Sequence, residues 1–185
     1  PIEAFCTGFY YDLQDRLLAE HACSAARSLD PAVNVIAEYV YLEGYHVLAV
    51  RRGGAWYWYL NDHLATPKKL VDVGRTVVWD GKMEPFGEPE APGARVEQPL
   101  RFAGQVPDTA SDLTYNGDRY AVFAIGRFLS VDVAGRDILT TDRLLRGFPG
   151  WAAALALQSS HSYSLARANP VRFWDPTGRQ TLDPV

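Results

Sequence analysis

Apolar and polar positions alternate in short runs from about residue 9 to residue 80, and glycine-containing turns separate the runs. A period of two is typical of β-strands, whose successive side chains point to opposite faces of a sheet. In residues 56–60 (WYWYL) this alternation places Trp56, Trp58 and Leu60 on one face and both tyrosines on the other. The segment therefore favours strands over helices.

The turn residues between these runs predict hairpins. The predicted strand pairs are 39–42 with 45–50 across Glu43-Gly44, 45–50 with 56–60 across 51–54, and 69–72 with 75–79 across Val73-Gly74. Consecutive hairpins make a β-meander. A weak repeat supports stacked hairpin units, since Tyr11, Leu18 and Ala19 recur 30 residues later at Tyr41, Leu48 and Ala49.

The chain changes character after residue 83. Residues 84–99 contain five of the twelve prolines, which predicts an irregular connection and the main internal boundary. The predicted division is 1–83 for the hairpin repeats, 84–99 for the connection and 100–185 for a C-terminal segment. Within that segment, good helix formers follow a Gly-Phe-Pro-Gly breaker and predict a short helical insertion near 139–168. The predicted class is mainly β, antiparallel.

Composition narrows the range of partners. The 185 residues carry 18 Lys and Arg against 22 Asp and Glu, a net charge of -4, which argues against nucleic acid as the main partner.

Cys6 and Cys23 allow one local disulfide or two ordinary thiols. The four histidines lack metal-ligand spacing, so no metal and no cofactor are expected. We expect no membrane span and no signal peptide in this chain, which begins at Pro1 and could be an excised piece.

Seven fragments, in this order, resemble the RHS repeat-associated core, the YD-repeat family of toxin shells. They are 11–17 (YDLQDRL), 60–67 (LNDHLATP), 85–88 (PFGE), 100–105 (LRFAGQ), 115–120 (YNGDRY), 126–132 (GRFLSVD) and 169–178 (NPVRFWDPTG). The match extends from about residue 9 to residue 178. Asp15 stands where the YD repeat has glycine.

The resemblance implies a spiralling β-sheet shell that encloses a polymorphic C-terminal toxin, with inward tyrosines and tryptophans and with the core segment closing one end. It also implies a secreted or cell-surface protein. The expected partners are the rest of an RHS shell or another copy of this chain, and the toxin cargo in full-length relatives. Only seven residues follow Gly178, so we expect the toxin itself to be absent here.

The family resemblance also implies self-cleavage by an aspartyl mechanism, in which two carboxyl groups share a proton. Asp132 and Asp175 match the aspartate pair, and Arg119 matches the arginine thirteen residues before the first of them. That guanidinium could hold a carboxylate in its ionised form. The cut would fall at Arg179 and Gln180, just after the Asp-Pro-Thr-Gly motif.

Ordinary structural roles compete with catalysis at these positions. Asp175 before Pro-Thr-Gly is also a turn opener, and Arg119 could belong to a surface ion pair. The chain departs from the family pattern at Val131 and Val133, which replace prolines, and at Arg179, which replaces leucine. A single-turnover autoprotease and a decayed site both stay open.

Trp56 and Trp58 supply a second functional hypothesis. Exposed aromatic rings on the hairpins could stack on sugar rings, which would make the chain a carbohydrate-binding cell-surface module and a glycan its partner. The competing interpretation is cross-strand packing. We expect the glycan hypothesis to fail if both side chains are less than about a fifth exposed, since a buried ring cannot stack on a sugar.

Overall fold

The computed structural model describes residues 7–22, 34–83, 86, 89–90, 94–108, 111, 113–131 and 163–179. The strands are β1 Thr7–Tyr11, β2 Leu17–Ala22, β3 Val35–Glu43, β4 His46–Arg52, β5 Ala55–Asn61, β6 Pro67–Val71, β7 Val77–Asp80, β8 Lys82–Met83, β9 Pro89–Glu90, β10 Val106–Asp108, β11 Leu113–Asn116, β12 Arg119–Val122 and β13 Arg127–Phe128. Within the described residues, short 3₁₀ turns cover Phe102–Gly104, Phe123–Ile125 and Leu165–Ala168.

Strands β1 to β7 form one antiparallel sheet in chain order, which is the meander that the alternation predicted. All three predicted hairpins are present, as the pairs β3 with β4, β4 with β5, and β6 with β7. The first turn is displaced by one residue from the predicted Glu43-Gly44, because Glu43 pairs with His46 and leaves Gly44 and Tyr45 between them. A second antiparallel sheet contains β10 to β13, also in chain order, and β8 pairs with β9. The predicted mainly β, antiparallel class is therefore confirmed.

Three of the hairpin loops share one construction, in which an aspartate caps the loop. The side chains of Asp12, Asp62 and Asp72 accept backbone N–H bonds from the residue four positions later, at 2.8 to 3.0 Å. In each loop the residue three positions after the aspartate has a positive φ, at Asp15, Ala65 and Arg75. Glycine is favoured in that conformation, which explains the glycine that the YD repeat has at the position of Asp15.

The 30-residue repeat of the sequence has a structural counterpart in strand registers. The register shifts between Tyr10 and Tyr11 in the first hairpin, and again between Val40 and Tyr41 in the second. An irregular pair of this kind bends the strand and increases its twist. The repeated tyrosine thus lies where each hairpin curves.

One face of the large sheet is buried and the other is exposed. The buried face carries Tyr39, Tyr59 and Trp79 among aliphatic side chains, and Leu100 and Val106 from the following segment pack on it. The alternation in β5 gives Tyr59 to this face and leaves Trp56 and Trp58 on the outer one. The expectation of inward tyrosines is met at Tyr39 and Tyr59, whereas Trp56 and Trp58 point outward because the tyrosines beside them occupy the core face.

Residues 132–162 lie outside the described part of the chain, and so does most of the helical insertion predicted near 139–168. The described chain continues at residue 163, beside the two sheets. Over the described part of that prediction, Leu165–Ala168 forms a short turn in which Ala166, Arg167 and Ala168 have positive φ. Leu165 and Ala166 are buried beside Phe128 and Leu64 in a second core cluster. The division at residues 84–99 stays a prediction.

Candidate functional site

The hairpin of β11 and β12 holds the Asp-Pro-Thr-Gly segment, and its turn explains how. Asn116 pairs with Arg119, which leaves Gly117 and Asp118 as a two-residue turn with Gly117 at a φ of 56°. Two-residue turns with a positive-φ glycine at the first central position fit the twist of a hairpin. The turn thus presents the side chains of Asn116 and Arg119 to the C-terminal segment.

Asp175 is 1% exposed and forms an ion pair with Arg119, which is 4% exposed. Arg119 Nη2 donates to Asp175 Oδ2 at 2.9 Å, and Asn116 Nδ2 donates to the backbone oxygen of Asp175 at 2.8 Å. The guanidinium carbon lies 3.5 Å from the ring centre of Phe128. A buried carboxylate requires such a partner, because its desolvation is costly when no cation compensates it.

The backbones of the two segments also lie against each other. Asp118 N donates to Thr177 O at 3.0 Å. A Cβ atom on Gly117 would lie 2.3 Å from Thr177 O, and a Cβ atom on Gly178 would lie 2.3 Å from Asn116 O. Both positions therefore require glycine, and the segment 175–178 lies directly on the hairpin turn.

Arg179 continues the contact at the surface. Its Nη2 donates to Asp118 Oδ1 at 2.9 Å, and its Nε donates to Asp118 Oδ2. The hydrogen bond from Arg179 holds the pKa of the Asp118 carboxyl below its usual range. The residue that replaces the leucine of the family pattern thus anchors the position before the predicted cut.

The C-terminal segment also contacts loops of the large sheet. His63 Nε2 lies 3.0 Å from Val171 O, within hydrogen-bond distance. The ring of Tyr45 packs edge-on against Trp174 at 5.3 Å, and the Tyr45 hydroxyl donates to Gln14 O at 2.8 Å. Residues 163–179 therefore connect both sheets instead of extending into solvent.

The structure brings together two of the three predicted catalytic residues, Arg119 and Asp175. Asp132 and Gln180 lie outside the described residues, so the pairing of the two carboxyl groups and the cut at Arg179 stay predictions. Sequence reasoning missed the roles of Asn116 and Asp118, although both lie in the YNGDRY fragment. The Asn-Gly-Asp turn signal could have identified them, since it places both residues beside Arg119.

Trp56 and Trp58 are 42% and 37% exposed, so neither falls below the exposure of about a fifth at which the glycan hypothesis would fail. They lie on the outer face of β5, where Trp56 pairs with Arg51 and Trp58 pairs with Ala49. Arg51, the cross-strand neighbour of Trp56, forms an exposed ion pair with Glu38 whose atoms are 3.3 Å apart. Two indole rings thus lie on one side of a strand within reach of solvent.

Neither a metal cluster nor a membrane helix is found in the described part of the chain. No group of three or more His, Cys, Asp or Glu side chains could hold a metal ion there. None of the helices in that part is long and apolar enough to span a bilayer.

Comparison with known proteins finds two toxins and a protein without a named activity. The chain is 33% identical to double-stranded DNA deaminase toxin A of Burkholderia cenocepacia over 92 residues, which cover 47% of this chain and 6% of the toxin. It is 35% identical to toxin protein Tse5 of Pseudomonas aeruginosa over 120 residues, covering 63% of this chain and 7% of Tse5. It is also 31% identical over 116 residues to YlbH of Escherichia coli, of which it covers 40%. No family model matches the sequence.

Solved structures share the fold. The chain superposes on the crystal structure of TcdB2-TccC3-TEV with a TM-score of 0.58 and 16% identity, covering 96% of this chain and 9% of that one. It matches the Photorhabdus luminescens Tc holotoxin pore with the same TM-score and 15% identity, again over 9% of that chain. The described fold therefore corresponds to a small part of much longer toxin-complex chains.

Proposed function

We propose that this chain is an RHS-type core segment that builds and closes a β-shell around a C-terminal toxin, with Asp132 and Asp175 as a self-cleaving pair. The partners would be the rest of the shell, or a second copy of this chain, and the cargo toxin. The whole would be secreted or displayed at a cell surface. Similarity to two toxins and the fold shared with Tc toxin chains support this assignment.

The observation that carries the proposal is the burial of Asp175 against Arg119. An aspartate that only opens a turn needs no buried cation, since aspartates at turns usually face water. Here the charged pair, the amide of Asn116 and two obligatory glycines hold the Asp-Pro-Thr-Gly segment on the hairpin. This attachment is suited to a segment that seals a wall and must stay in place after the chain is cut.

In the proposed cleavage, Arg119 keeps Asp175 ionised, and Asp175 takes a proton from a water molecule. The water oxygen attacks the carbonyl carbon of Arg179, while Asp132 in its protonated form donates to the carbonyl oxygen. Asp175 then gives its proton to the nitrogen of Gln180, and Asp132 regains a proton from a hydroxyl of the intermediate as the bond from Arg179 to Gln180 breaks, which yields a carboxyl group and a free amine. Because the bond is held beside its catalyst, a single turnover needs only modest activation.

Self-cleavage is tested by fusing a folded reporter after Val185. The parent chain should release the reporter with Gln180 as its new N-terminus, identified by mass spectrometry. Asp132→Asn and Asp175→Asn should each leave the fusion intact, and Asp80→Asn, at an exposed aspartate away from the hairpin turn, is the matched control that should still be cut. An intact parent, or equal release from all four chains, would refute the autoproteolytic part of the proposal.

A second candidate function rests on the exposure of Trp56 and Trp58. Two indole rings on one side of a strand can stack on successive sugar rings, with Arg51 and Glu38 nearby to hydrogen-bond hydroxyl groups. The proposed activity is binding to a surface glycan. Affinity electrophoresis in gels containing soluble polysaccharides tests it, with Trp58→Ala as the variant and exposed Leu42→Ala as the control. Equal mobility of the parent with and without polysaccharide would exclude this function.

A further inference from the structure

The hairpin between β11 and β12 carries two opposite charges on neighbouring residues, Asp118 and Arg119. Arg119 pairs with the carboxylate of Asp175. Asp118 pairs with the guanidinium of Arg179. The C-terminal segment thus presents a negative and a positive group, four residues apart, to a positive and a negative group on the hairpin. Complementary charges of this kind fix one register, because a displaced segment would lose both ion pairs.

Asp118 contacts two residues of the segment through different groups. Its backbone N–H donates to Thr177 O at 3.0 Å. Its carboxylate accepts hydrogen bonds from two nitrogens of Arg179, from Nη2 at 2.9 Å and from Nε. Gly178, between these two residues, lies directly against the backbone of Asn116. The three residues before the predicted cut are therefore each held by the hairpin turn.

The contact with Arg179 orients that side chain as well as attracting it. Two hydrogen bonds between a planar guanidinium and a planar carboxylate fix the orientation of both groups, which a single ammonium does not do. Asp118 raises the pKa of Arg179 most, and Asp15 in the loop after β1 contributes less to that rise. Among the carboxylates near Arg179, Asp118 therefore has the main influence on its position.

The exposure of this pair indicates what it can contribute. The side chains of Asp118 and Arg179 are 39% and 60% exposed, and ion pairs at such positions add little to folding stability. A reaction within the chain is more sensitive, because a shift of about 1 Å in a reacting group can slow it by about a hundredfold. The pair can therefore affect a cleavage rate while hardly changing the stability of the fold.

We propose that Asp118 is a positioning residue for the proposed self-cleavage and makes arginine the required residue before the cut in this chain. The inference rests on that proposed function. Arg119 holds the proposed base Asp175, and its neighbour in the hairpin holds the residue whose carbonyl carbon is attacked. The base and the scissile bond are thus fixed relative to each other. The leucine of the family pattern would give the carboxylate of Asp118 no partner.

The reporter fusion after Val185 tests this inference when cleavage is followed over time during cell-free synthesis. Asp118→Asn keeps the shape of the side chain but removes its charge, and it should slow cleavage at least about tenfold. Arg179→Leu should slow it to a similar extent, and Asp118→Glu, which keeps the charge, should restore part of the rate. Asp15→Asn is the matched control, since it removes another carboxylate that acts on Arg179, and it should leave the rate unchanged.

The double variant Asp118→Asn/Arg179→Leu distinguishes a direct partnership from two separate effects. If the two side chains act through each other, the double variant should be cut no more slowly than either single variant. The urea midpoint of Asp118→Asn should stay close to that of the parent, because the pair is exposed. A clearly lower midpoint would indicate a folding role and would overturn the inference.

The outcomes separate this inference from the proposed function. A parent fusion that stays intact would overturn both. A parent that is cut, together with Asp118→Asn cut at the same rate, would overturn the positioning role alone. Equal slowing by Asp15→Asn, or losses that multiply in the double variant, would also overturn that role, because either result shows that the contact between Asp118 and Arg179 is not the cause.

Discussion

Gly178 lies so close to Asn116 that a Cβ atom on it would be 2.3 Å from the Asn116 backbone oxygen. The φ of Gly178 is 69°, a conformation that other residues adopt only with strain. Space and backbone conformation therefore both require glycine at this position. The backbone conformation and packing of the segment therefore explain the glycine of the Asp-Pro-Thr-Gly motif, whether or not the chain cleaves itself.

Gly178→Ala should lower the free energy of unfolding by about 2 to 4 kcal/mol, because left-handed strain adds to a backbone clash. Urea denaturation measures this change. Gly44→Ala is the control, since Gly44 also has a positive φ but open space around it, and it should cost only about 1 kcal/mol. Equal losses in the two variants would contradict the close contact with Asn116.

Arg119→Met should destabilise the chain by about 3 to 5 kcal/mol, because it leaves the Asp175 carboxylate buried without its cation. Arg51→Gln removes an exposed ion pair and should change stability by less than about 1 kcal/mol. Thermal and urea unfolding of both variants provide the comparison. A loss for Arg119→Met as small as that for Arg51→Gln would indicate that the pair is not buried.

The surface pair of Asp118 and Arg179 should be sensitive to acid. Since the Arg179 hydrogen bond lowers the pKa of Asp118 in the folded chain, its stabilising contribution is fully present above the unfolded-state pKa. It is lost as the pH falls through the lower, folded value. NMR titration should show the Asp118 pKa rising towards its usual range in Arg179→Gln, with Arg167→Gln as the unchanged control. An Asp118 pKa that is the same in parent and Arg179→Gln would refute the contact.

Arg75→Gly should stabilise the chain by about 0.5 to 1 kcal/mol. Arg75 has a φ of 63° in an aspartate-capped loop, and glycine removes that strain at a smaller entropic cost. Val73→Gly, in the same loop but without a positive φ, should not stabilise. Differential scanning calorimetry of the two variants distinguishes them, and a lower melting temperature for Arg75→Gly would count against the strain argument.

The sequence by itself determined the meander, because alternation and turn residues act over short distances. The pattern in residues 56–60 separated the two tryptophans from the two tyrosines correctly. The pattern could not decide which face of the strand is buried, because both faces carry aromatic residues. That choice depends on what packs against the sheet. The three aspartate-capped loops were also local features, but only the backbone geometry showed that the loops at Asp62 and Asp72 repeat the loop at Asp12.

Tertiary structure alone decided how the site is assembled. Arg119 and Asp175 are 56 positions apart in the sequence, and no local propensity determines that a buried ion pair joins them. Local rules specify strands and turns, whereas burial and charge compensation are properties of the packed whole.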